Sequence, residues 1–114
     1  MKKITTALLA AGLVLSASAC SASQQLSTAD TCARVKTVIS NPTNTSDKTG
    51  TIRVANQLRP IAVVSSDELK PTLKTLVDYL DETSKDNPDK AKLASMQTDY
   101  QNAGANFTKY CGQQ

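Results

Sequence analysis

The sequence has no histidine and no tryptophan, and its aromatic residues are one Phe and three Tyr among 114 positions. Without histidine the chain lacks the usual general base near neutral pH, the usual partner of a Ser or Cys nucleophile, and the commonest zinc ligand. No catalytic residue, no cofactor and no metal is therefore expected, and the protein is read as a non-enzyme. With so few aromatics the core has to be aliphatic. A chain of this length holds one domain at most.

Charge of one sign is also scarce. The formal balance is +3, from 13 basic and 10 acidic residues. Two of those cations, Lys2 and Lys3, stand at the start of a segment with the plan of a secretory signal. An apolar stretch, Ile4 to Leu15, follows them, then small residues Ser16 to Ala19. The stretch is too short to span a bilayer comfortably. Without residues 1–19 the balance falls to about +1, so neither a nucleic-acid surface nor a polybasic membrane patch is expected.

The residues Ala17-Ser18-Ala19-Cys20 resemble the lipobox of bacterial lipoproteins. The resemblance covers the first twenty residues and implies cleavage before Cys20 and lipidation of its thiol. It departs from the usual pattern at Ala17, where Leu is preferred. Ala17-x-Ala19 also suits ordinary signal peptidase, which would release a soluble secreted protein. Cysteine parity favours the lipid. Cys20, Cys32 and Cys111 are an odd number for an oxidising compartment, and lipidation of Cys20 leaves an even pair. Two acyl chains would suffice for stable anchoring. The expected organisation is a signal peptide over 1–19, a lipidated cysteine and polar tether over 20–27, and a folded domain over 28–114. Fully extended, the tether reaches about 27 Å.

Four helices are expected in that domain. The first begins near Thr28, a capping residue, carries Cys32, Val35 and Ile39 at helical spacing, and stops at Asn41-Pro42. Asn41–Gly50 has no apolar residue and reads as a loop. The second runs from about Thr51 to Val64, with Ile52, Ala55, Leu58 and Ala62 on one face and a kink or break at Pro60. The third opens at Ser65, which has capping-box spacing to Glu68, and carries Leu69, Leu73, Leu76 and Leu80; Pro71 is either tolerated early or marks the true first turn. The fourth is announced by Asn87-Pro88-Asp89, read as cap, first helical position and acid, and ends near Cys111.

Strand evidence is poor, and the expected fold is all-α: a small four-helix up-and-down bundle. With an even number of alternating helices, the first begins where the last ends, so Cys32 and Cys111 fall at one end within reach of a disulfide. They lie 79 positions apart, and closing such a loop stabilises by roughly 4–5 kcal/mol on the chain-entropy model. That spacing favours a structural bridge over a redox pair.

Other motifs read as ordinary structure. Lys48-Thr49-Gly50 spells the KTG box of β-lactamases, but the S-x-x-K nucleophile motif is missing, so the match is chance. Asp78, Asp81, Glu82, Asp86 and Asp89 are a candidate calcium cluster. Asn87-Pro88 sits where an EF-hand loop would wrap, however, and a solvated helix face is the better reading. Tyr79, Tyr100 and Tyr110 could line a ligand cavity between helices, although aromatics on an apolar stripe are usually plain core.

The whole resembles small helical secreted proteins of Gram-positive bacteria, which mostly have no assigned activity. The expected function is a binding module, lipid-anchored at the cell membrane and facing outside the cytoplasm. Its partner would be another exported protein or a wall component. A carrier of a small apolar ligand in the bundle core is the alternative. A partner-facing end is expected where the loop residues Asp47 and Lys48 meet Asp86 and Asp89 of the third corner.

Overall fold

In a computed structural model, which describes residues 24–112, the chain forms four helices: α1 (Thr28–Ile39), α2 (Lys48–Val64), α3 (Lys70–Thr83) and α4 (Lys90–Cys111). Among the described residues there is no strand. Each helix packs on its two neighbours around a ring, α1 on α2 and α4, and α3 on α2 and α4. This is the expected up-and-down bundle. The signal segment and Cys20 lie outside the described residues.

The helix starts differ from the sequence reading, and side-chain caps explain each difference. Ser27 rather than Thr28 caps α1, its hydroxyl accepting the Asp30 N–H at 3.1 Å. Helix α2 begins three residues early because Asp47 accepts the Gly50 N–H at 2.8 Å. Asp89, not Asn87, caps α4, which places Pro88 before the helix. The Ser65–Glu68 capping box does not form. Ser65 instead terminates α2, turning its hydroxyl back to Ala62 O at 2.7 Å, and α3 starts with Pro71 in its first turn. Nor does Pro60 break α2, which runs on to Val64. Pro60 and Asn56 are both exposed, so the carbonyl that loses its partner lies on the solvated side.

The core joins Val35 and Val38 of α1, Leu58 and Ile61 of α2, and Leu73 and Val77 of α3, with Phe107 of α4 against them. Burying each of the larger aliphatics stabilises by about 1.5–3 kcal/mol. On α1 the buried face passes through Thr31, Cys32, Val35 and Val38 and leaves the expected Ile39 60% exposed. On α2 it passes through Ala55, Leu58 and Ile61, so Ile52 and Val63 face outward. Of the third-helix leucine stripe, Leu69 and Leu73 are fully buried at 0% exposure, and Leu76 and Leu80 are partly buried against the core.

A second cluster closes one end. Cys32 and Cys111 are joined by a disulfide, Cα–Cα 5.4 Å, and pack with Leu69, Phe107 and Tyr110. The same end receives the incoming chain. Leu26 N–H donates to Val64 O at 2.7 Å, and Gln25 Nε2 donates to Ser65 O and Asp67 Oδ1 at 3.1 and 2.8 Å. Thr31 Oγ1 accepts the buried Ser66 N–H at 3.2 Å. Residues 25–27, read from the sequence as free tether, are thus laid against the α2–α3 turn. Leu26 supplies the donor that the last carbonyls of α2 need.

Candidate functional site

The four residues expected to face a partner do gather at the opposite end. Lys48, in the first turn of α2, pairs with Asp86 of the α3–α4 corner. Asp47 and Asp89 are the caps of α2 and α4. All four side chains are engaged by the fold itself. Donation from Thr45 and the Gly50 N–H lowers the Asp47 carboxyl below its ordinary range, and the Lys48 ammonium does the same to Asp86.

The loop between α1 and α2 is held as firmly. Asn44 Nδ2 donates to Val38 O and Gln57 Oε1, both at 2.8 Å, and Arg53 donates to Thr43 O. Thr45 lies directly over Gly50, where a Cβ would fall 1.8 Å from Thr45 O. Glycine is required there for close approach of two backbone segments.

Glu82 departs most from the sequence reading. Expected on a solvated face, it is 2% exposed. Its carboxylate accepts from Lys85 Nζ at 2.7 Å and the Asp89 N–H at 3.1 Å, with Lys92 Nζ at 3.1 Å. These contacts, Lys85 first, lower its pKa from 4.5 to about 2. Three elements, the end of α3, the corner and the start of α4, converge on one carboxylate. The remaining acids of the candidate calcium cluster are also engaged. Asp81 forms a two-pronged pair with Arg59 at 2.8 and 3.0 Å, raising the Arg59 pKa, and Asp78 pairs with Lys74 at 2.5 Å. Among the described residues no group of His, Cys, Asp or Glu is arranged to hold a metal ion.

The tyrosines divide. Tyr79 and Tyr100 stack at 4.1 Å between centroids, and Tyr79 Oη donates to Gln97 Oε1 at 3.3 Å. Tyr110 packs against the disulfide. Two concavities lie on the surface. One of about 600 Å³ runs between α3 and α4 with a mostly charged and polar lining, and one of about 280 Å³ lies between α2 and α3 around Ala62, Val63 and Val77. The α3–α4 groove drew no notice in sequence. Its lining residues, such as Thr75, Ser95 and Asp99, carry no motif, and their spacing becomes meaningful only once α3 and α4 are side by side.

No described helix is long and apolar enough to cross a membrane. The chain matches no known protein family, no curated protein and no solved structure.

Proposed function

We propose that this protein is a non-catalytic envelope module, held at the cell membrane by a lipid on Cys20 and facing outside the cytoplasm. It binds another exported protein or a wall component. The observation that carries this reading is cysteine pairing. Cys32 and Cys111 satisfy one another, which leaves Cys20, preceded by Ala17-Ser18-Ala19, as the odd cysteine of the sequence. Support for a binding rather than a catalytic role comes from the use made of the acids. Asp47, Asp81, Glu82, Asp86 and Asp89 serve as caps and ion pairs.

Residues 25–27 are laid against the bundle, so the span from Cys20 to Gln25 can bridge at most about 17 Å. The disulfide end of the bundle then lies close to the lipid headgroups, and the Lys48–Asp86 end faces outward. Cell fractionation of wild type and Cys20→Ala tests the reading. Wild type belongs in the membrane fraction, and the variant in the medium or as uncleaved precursor. Wild type recovered from the medium would replace anchoring with soluble secretion.

A further inference from the structure

We infer that the part of the α2–α3 face nearest the disulfide end is a membrane-docking surface, which rests on the anionic headgroups of the bilayer holding the protein's own anchor. The inference depends on the proposed lipid at Cys20. It adds which side of the bundle meets the bilayer, and by what chemistry.

Chain length places this surface. Gln25 Nε2 donates to Ser65 O at 3.1 Å and the Leu26 N–H to Val64 O at 2.7 Å, so the incoming chain is fixed beside the last turn of α2. Cys20 is at most about 17 Å of extended chain from Gln25. Val63 lies in that last turn, and Lys70 opens α3 just across the connection. Both are therefore within reach of the headgroups. Lys48 begins the other end of the 17-residue α2, about 25 Å farther along the helix.

Hydropathy and charge choose the face. Val63 is 70% exposed, more than Ile39 or Ile52. It borders a depression of about 280 Å³ that Ala62 and Val77 also line, with Arg59, Lys70 and Lys74 around them. Lys70 and Lys74 are four apart and share one side of α3. Lys74 pairs with Asp78 and Arg59 with Asp81, so Lys70 leaves the patch net positive. An exposed apolar side chain among long cationic ones suits a membrane interface, where the apolar group enters and the ammonium groups reach the phosphates.

The other orientations are opposed by charge. An upright bundle would press Asp30, Asp67 and Glu68, all exposed, onto the lipid phosphates, against Lys109 in the last turn of α4. The α3–α4 side would present Glu68 and Asp99. Tilting toward α2 and α3 brings Lys70 and Lys74 down instead, and still leaves the Lys48–Asp86 end pointing away. So small a patch binds weakly alone, since each lysine near an anionic surface strengthens binding only about fivefold. A short tether makes it sufficient, by holding the patch at an effective concentration on the order of millimolar.

The test anchors the protein chemically, so it does not depend on whether cells lipidate Cys20. With Cys32 and Cys111 bonded to one another, the Cys20 thiol of the mature chain couples to a maleimide lipid in vesicles. These are phosphatidylcholine alone, or phosphatidylcholine with an equal part of phosphatidylglycerol. The sequence has no tryptophan, so Val63→Trp introduces a sole indole. Ile39→Trp, at a site 60% exposed on α1, is the control. On anionic vesicles the Val63→Trp indole should shift to the blue and be quenched by brominated lipids, and the Ile39→Trp indole should do neither. On neutral vesicles the quenching should fall. Adding Lys70→Gln and Lys74→Gln should lower the ratio of docked to undocked protein about tenfold or more, with helicity unchanged because both side chains are exposed. In the unsubstituted chain, anionic vesicles should shield Lys70 and Lys74 from amine acylation while Lys85 and Lys90 stay reactive. Equal quenching of the two indoles, quenching of neither, indifference to phosphatidylglycerol, or acylation of Lys70 and Lys74 at their solution rate would each overturn docking at this face. None of these outcomes bears on lipidation of Cys20, which fractionation reads separately.

Discussion

The Nζ of Lys92, in the first turn of α4, lies 3.1 Å from Oε2 of Glu82, in the last turn of α3. With Lys85 Nζ at 2.7 Å and the Asp89 N–H at 3.1 Å, Glu82 ties α3 to α4 at their corner. The carboxylate form alone makes all these contacts, which is why its pKa falls to about 2.

A pH dependence follows. Between about 2 and 4.5 the folded Glu82 stays ionised while an unfolded glutamate takes up a proton. The unfolded state binds more protons there, so acid favours unfolding. The contribution is complete above 4.5 and is lost as pH falls toward 2. Urea unfolding across that range should show wild type losing stability more steeply than Glu82→Gln, which should already be the less stable protein at neutral pH. Equal slopes for the two proteins would remove Glu82 from the corner's role.

The disulfide closes 79 positions of chain. Replacing both Cys32 and Cys111 with Ser should lower unfolding stability by about 2–5 kcal/mol. Thiol labelling of the denatured, unreduced mature protein should leave both cysteines unmodified. A labelled Cys32 or Cys111 would contradict the bridge.

Two glycines should respond in opposite directions to alanine. At Gly50 a Cβ would meet Thr45 O at 1.8 Å, so Gly50→Ala should cost at least about 2 kcal/mol by displacing the α1–α2 connection. At Gly104, inside α4, a Cβ meets nothing within 4 Å. Gly104→Ala should stabilise by about 0.5–1 kcal/mol through helix propensity. Thermal melts of the two variants side by side check both signs.

The entering strap makes a local prediction. Leu26→Pro deletes the N–H that bonds Val64 O at 2.7 Å and should cost about 1 kcal/mol. Hydrogen exchange should rise over residues 27–31 and around Ser65–Ser66, while Leu73 and Val77 keep their protection. Unchanged exchange at Ser66 would mean the strap does not hold the turn.

The four helices, the leucine stripe of α3 and the Cys32–Cys111 pairing were legible because periodicity and parity are properties of the chain alone. The helix starts were less legible. Ser27, Asp47 and Asp89 each compete with a neighbouring residue able to cap, and tertiary contacts choose between them. Ser65 was drawn away from the capping box by the α2 carbonyl it accompanies. Glu82 was not legible as a buried group, because the lysines that neutralise it come from the corner and from the next helix. The groove on α3 and α4 is likewise a product of assembly. Thr72 and Asn106 are 34 positions apart in sequence, and only the bundle brings them to one concavity.

Intact-mass spectrometry of the mature protein, purified from the membrane fraction without reductant, tests the anchored-module reading most directly. The expected species begins at Cys20, carries the added mass of a diacylglyceryl group on that residue, and is two hydrogens lighter for the Cys32–Cys111 bond. A mature species with an unmodified N-terminal Cys20, or one cleaved elsewhere, would contradict it.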